Sequence, residues 1–276
     1  LLDKNPTALE WLSQIGHQQD DEIDLLKGAL ALGALERPAT YDLSAMHDAV
    51  ITMKKQLAVY SDNSLEDKIN ALNDVLFAKA DISGNYDDYD DLKNANMLDV
   101  LERKKGLPVA LGILYIILAK SRKWDIEGLS FPGHFIVRLT HEGQRELIDP
   151  FNAGRILNAS DLRQIIKAVM GQDQELSSSY YDAVSNRELL LRLQNNIKMR
   201  YVREENYEKA LEQIEIMMLI APDEEKLLFD AGILHYQLDN FSQAIDMLEQ
   251  YKKNTKSAKE QQEASVLIYE IQKLLD

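Results

Sequence analysis

The stretch "YVREENYEKALEQIEIMMLIAP", beginning at Tyr201, is answered 34 residues later by "HYQLDNFSQAIDMLEQYKKN". Tyr201 and His235, Asn206 and Asn240, Tyr207 and Phe241, and Ala210 and Ala244 all recur at that one spacing. A repeat of this length prescribes two helices joined at an asparagine-aromatic turn. Ala210, Gly232 and Ala244 are small where paired helices must approach closely, and Leu211, Ile214, Ile245 and Leu248 supply bulk. Pro222 falls at the end of the first unit, where the backbone has to turn.

The period matches the tetratricopeptide pattern. It divides the chain into a domain at 185–276, with two repeats and "AKEQQEASVLIYEIQKLL" as a capping helix, and an N-terminal region at 1–184. Each unit leaves an apolar face for its neighbour, so so short an array is expected to dock on the rest of the chain. Met199, Met217, Met218 and Met247 are expected to pack in its core, the other reading being a peptide-binding stripe.

Upstream, glycine and proline are sparse and apolar residues recur at three- and four-residue spacings, so helix should dominate. "NPTALEWLSQIGHQ" opens with a cap and a proline, and "DDEIDLLKGALALGALE" with acids suited to a first turn. "GNYDDYDDLKNANM" breaks the rhythm; it lacks the spacing and central glycine of a calcium loop and reads as a solvated connection or docking loop. In "LERKKGLPVALGILYIILAKSRKW", Gly106 and Pro108 end one helix and begin another that is apolar all round, hence buried, yet too short to span a membrane.

A different period follows. "HFIVRL" alternates across a strand, "THEG" supplies a turn and "QRELID" returns, a small antiparallel hairpin in a mainly α chain. A turn centred between His141 and Glu142 would set His134 directly opposite Asp149 on one face. An aspartate beside a histidine fixes the ring's orientation and tautomer and leaves its other nitrogen free as a base. There is no cysteine in the 276 residues, which excludes disulfides, thiolate metal sites and thiol nucleophiles.

"RKKGLPVALGILYIILAKSRKW", "GLSFPGHFIVRL" and "LIDPFNAGRIL" together resemble the transglutaminase-like domain of the SirB1 family, bacterial proteins that join that domain to C-terminal tetratricopeptide repeats. The resemblance is specific over about residues 95–160. It implies a papain/transglutaminase-like α+β core, with a cysteine at the helix start, a histidine on the next strand and an aspartate on the one after. The histidine falls on His134, the aspartate on Asp149 and the cysteine near Ala110, where alanine removes the thiol mechanism.

The expected function is therefore a non-catalytic interaction or regulatory protein, a pseudoenzyme with a remnant cleft. Ser130, Arg138, Asn152 and Arg155 are its candidate polar lining, and Gly133 is expected to let the backbone turn closely before the histidine. The alternative is an amide or ester hydrolase in which His134 and Asp149 activate water or a serine. A metal site through His134, His141 and Asp149 lacks a fourth ligand, so neither metal nor cofactor is expected. A formal charge of -15 disfavours nucleic acid and anionic membrane and suits a protein or peptide partner of basic or mixed charge. "LLDKNPTALEWLSQ" lacks the order of a signal peptide, so cytoplasm is the expected compartment.

Overall fold

Asn5 caps the first helix, α1 (Pro6–Gly16), by accepting from the Ala8 amide at 3.2 Å, and Pro6 sits in the first turn, where its missing N–H loses no bond. The coordinates are a computed structural model describing residues 4–38 and 40–275; the first three residues of the stretch read for a signal sequence lie outside them. In α2 (Leu25–Ala34) the cap is Asp24, which accepts from the Lys27 amide at 3.0 Å. The acids of that segment thus precede the helix instead of filling its first turn.

Next come α3 (Ser44–Leu57) and α4 (Leu65–Asn73), which runs on as a wider π turn over Asp74–Lys79. A short β1 (Ser83–Gly84), α5 (Met97–Arg103) and β2 (Lys105–Gly106), parallel to β1, lead into α6 (Pro108–Ser121). Every α6 residue from Pro108 to Ala119 is buried, as its all-round apolar sequence requires.

Five strands make an antiparallel sheet beside α6: β3 (Asp125–Leu129), β4 (Val137–His141), β5 (Gln144–Asp149), β6 (Arg155–Ile156) and β7 (Ala183–Val184), in the order β6-β5-β4-β3-β7. Ile126, Val137, Leu139 and Ile148 face the main core with α6. Leu129 and Ile136 face the other way, onto Leu162 and Ile166 of α7 (Ala159–Met170).

The hairpin register differs from expectation by two residues: Val137 pairs with Ile148 and His141 with Gln144. The turn is Glu142–Gly143, with φ of 49° and 80°, the two positive values that a tight two-residue hairpin requires. An even shift keeps every side chain on its original face. The strand also begins later than expected, at Val137, so His134 lies in the turn between β3 and β4 and has no cross-strand partner position.

The repeat helices are α8 (Asn186–Arg203), α9 (Tyr207–Ile220), α10 (Lys226–Gln237), α11 (Phe241–Asn254) and α12 (Ala258–Leu275). They are docked as their small number demanded: Leu189, Leu190 and Leu193 of α8 and Ile216 and Ile220 of α9 belong to the same core as α2 and α6. Gly232 lies against Leu248 and Ala244, the close approach its size allows. Met217 is buried and Met218 and Met247 pack beside it, whereas Met199 is 43% exposed. Among the described residues no helix is long and apolar enough to cross a membrane.

Candidate functional site

Asp149 ends β5 and folds the chain back over itself. Its Oδ1 accepts from the backbone amides of Phe151 at 3.0 Å and Asn152 at 3.2 Å, an Asx turn that gives the Asp-Pro-Phe element a local structural job. Its Oδ2 faces the Asn152 side-chain amide at 2.5 Å and His134 Nε2 at 2.8 Å. The turn is braced from the core: buried Tyr115 of α6 donates to Asn73 Oδ1 at 2.9 Å, and Asn73 donates to the Gly154 carbonyl at 3.3 Å.

Asp149 is only 2% exposed. Burial pushes its carboxyl up, but the His134 ring and the Asn152 donors outweigh that and hold it below the usual carboxylate range. His134 keeps 17% of its side chain open. Its Nε2 is enclosed and approaches Oδ2 off the line of an ideal N–H bond, so the contact is electrostatic more than directional. Gly133, at φ 67°, makes the preceding turn, and a Cβ there would also strike Val169 at 2.5 Å.

Ala110 is the third residue of α6 and fully buried. One turn of α6 and the His134 turn are pressed together, because Gly112 leaves just the space that the Phe135 ring fills. A side chain at 112 would push the two elements apart.

Of the other candidates, Asn152 alone touches the pair. Ser130 is exposed and is tied through its amide to the Asp182 carbonyl at 2.9 Å; it makes no hydrogen bond to His134. Arg138 pairs with Glu127 on β3 and donates to the Tyr181 carbonyl at 3.1 Å, on the α7 side of the sheet. Arg155 is drawn to Asp161 in the first turn of α7, at 2.5 Å. His141 stands at the far end of β4, 2.8 Å from Lys68 Nζ, so the reading that joins it to His134 in a metal site fails on geometry. Among the described residues no three potential ligands cluster to hold a metal.

Tyr86 is a site neighbour that the sequence did not reveal. Its hydroxyl donates to Asn152 Oδ1 at 2.6 Å and to the Phe151 carbonyl at 3.2 Å, from within the acidic segment. The two tyrosines among its aspartates were the available signal.

A buried helix start set against an antiparallel sheet, with histidine and aspartate meeting at the sheet's end and a helical repeat array behind, defines a transglutaminase-like protein with tetratricopeptide repeats. Residues 42–195 match the family described as Transglutaminase-like superfamily, and residues 197–270 match Tetratricopeptide repeat. The chain is 30% identical over 242 residues to a UPF0162 protein of Xylella fastidiosa, covering 84% of each. It is 29% identical over 150 residues to Protein SirB1 of Salmonella typhimurium, covering 54% of this chain and 55% of that one. Human F-box only protein 21 is 25% identical over 181 residues, 62% of this chain and 28% of that protein. The chain belongs to the SirB1 family of transglutaminase-like proteins.

Proposed function

We propose that this chain is a protein-interaction module in which a transglutaminase-like core without its thiol offers the His134–Asp149 pair as a recognition element. The observation that carries this reading is one juxtaposition: a buried alanine, Ala110, in the first turn of α6, and a histidine and aspartate still 2.8 Å apart. Acyl transfer needs a nucleophile with a lone pair and a removable proton, and a methyl group has neither. A partly exposed imidazole held beside a buried carboxylate can still hydrogen-bond a bound main chain. The repeat array supports a protein partner, and the excess of acids favours a segment of basic or mixed charge.

The test is selection of peptides from a displayed library against the full chain, then calorimetric titration of the best binder. His134→Gln and Asn152→Ala should each weaken it by about tenfold or more, the loss of a charge-assisted bond. Unchanged affinity in both variants would refute the reading.

The open edge of His134 also favours a second reading, an amide or ester hydrolase in which that edge activates water or a serine. Turnover of a panel of nitrophenyl esters and anilides that disappears in His134→Ala would establish it. Turnover indifferent to His134 would dismiss it.

A further inference from the structure

The acidic segment between β1 and α5 is not a free tether. Arg200, in the last turn of α8, has only 3% of its side chain exposed. Its guanidinium donates to the carbonyls of Tyr89 and Asp90, each at 2.8 Å, and to that of Asn196 at 2.9 Å. It also lies 5.9 Å from the Tyr89 ring centre. Arg203 adds a 3.2 Å contact to the Asp90 carboxylate, and Arg103 one of 2.7 Å to Asp91. A buried guanidinium is tolerated only where its donors are satisfied, and here two loop carbonyls and one of its own helix satisfy them.

From the gripped loop the contacts continue to the site. The Tyr89 ring meets Phe151 edge-on at 5.8 Å, and the Tyr86 ring lies 4.5 Å from it. Gly84 permits this stacking, since a Cβ there would come within 2.7 Å of the Phe151 ring. The Tyr86 hydroxyl engages the oxygen of the Asn152 amide, which leaves the nitrogen of that amide to face Asp149. Burial pushes the Tyr86 phenol up and the Asp149 charge adds to the effect, so the two groups sense each other.

We infer that Tyr86 and Arg200 are positioning residues for the Asp149–His134 pair: the first repeat helix grips the acidic segment, and the segment holds Asn152 against Asp149. The inference rests on reading the pair as the binding site. It makes the repeat array a structural support of that site.

The experiment is NMR on the full chain with labelled aspartate and asparagine, assigned with Asp149→Asn and Asn152→Ala. Two signals are followed: the acid titration of the Asp149 carboxyl, and hydrogen exchange of the Asn152 side-chain amide at neutral pH. Asn152→Ala should move the Asp149 midpoint up towards the ordinary value by removing a donor. Tyr86→Phe and Arg200→Met should move it in the same direction and speed the Asn152 exchange. Arg203→Met, which loses an exposed contact to the Asp90 carboxylate and a bond to the Met199 carbonyl of its own helix but none to the loop backbone, should leave both signals in place. Tyr86→Phe deletes one hydroxyl from a ring that is 61% exposed, so it keeps the test sound even where Arg200→Met perturbs folding.

Asp149 and Asn152 signals unmoved by Tyr86→Phe would overturn the inference, as would an Asp149 midpoint indifferent to Asn152→Ala. Peptide affinity separates the two readings. If His134→Gln leaves affinity intact while Tyr86→Phe still shifts the Asp149 midpoint, the coupling stands and the binding-site reading falls.

Discussion

Replacing Asp149 by asparagine tests the centre of the site with the smallest change of shape. In the native arrangement one carboxylate oxygen accepts two backbone amides and the other faces two further donors, Asn152 Nδ2 and His134 Nε2. An asparagine keeps its oxygen on the two amides, which pull it there, and so presents its own NH2 to Asn152, donor against donor. Two bonds lose charge assistance, worth about 1 kcal/mol each, and one is replaced by an opposed pair of donors, worth about 1 to 3 kcal/mol. The His134 contact survives only if the ring moves its proton to Nδ1. The total is about 3 to 5 kcal/mol of destabilisation at neutral pH.

The pH dependence carries a definite sign. The folded carboxyl of Asp149 is held below its ordinary value of 3.8, so its contribution is fully present above that value and is lost as pH falls through the lower folded pKa. Asparagine does not titrate. Urea unfolding of both proteins, followed by tryptophan fluorescence, should therefore give a difference that is constant near neutrality and shrinks below about pH 4. A difference under about 0.5 kcal/mol at neutral pH, or one that grows on acidification, refutes this account of the pair.

Substitutions at three further positions test the fold around the site, in the hairpin turn and in the repeat array. Gly112→Ala drives a methyl into the Phe135 ring beside His134 and should cost about 3 kcal/mol in the same urea assay. Gly143→Ala meets no neighbour, so its cost should be the backbone strain at φ 80° alone, about 1 to 2 kcal/mol, with Gly143→Asn costing less. Burial holds His235 below its ordinary 6.5 and Glu215 only partly offsets this, so the unfolded chain takes up the proton first as pH falls. His235→Tyr, matching Tyr201 one repeat earlier, should lose less melting temperature than the wild type between about pH 7.5 and about pH 5.5.

Much of this protein follows from its sequence by itself. The 34-residue repeat dictated paired helices because small and large residues recur at fixed positions on each. Twelve consecutive buried residues in α6 follow from a segment with no polar face to turn towards water. The absence of cysteine by itself excludes thiol chemistry. Alternation also assigned the strand faces, which survived a two-residue error in register because the side-chain period is two.

The register itself depended on where positive φ is tolerated, and Gly143 moved the turn one residue beyond the expected centre. Only tertiary structure decided which polar groups meet. Arg138, Arg155 and Asn152 are alike in sequence as candidates, yet Glu127 and Asp161 claim the two arginines and Asp149 claims the asparagine. The grip of Arg200 on Tyr89 and Asp90 joins residues about 110 positions apart. Contacts of that kind leave no local periodicity, because they arise from how separately formed elements pack and not from the conformational preferences of either segment.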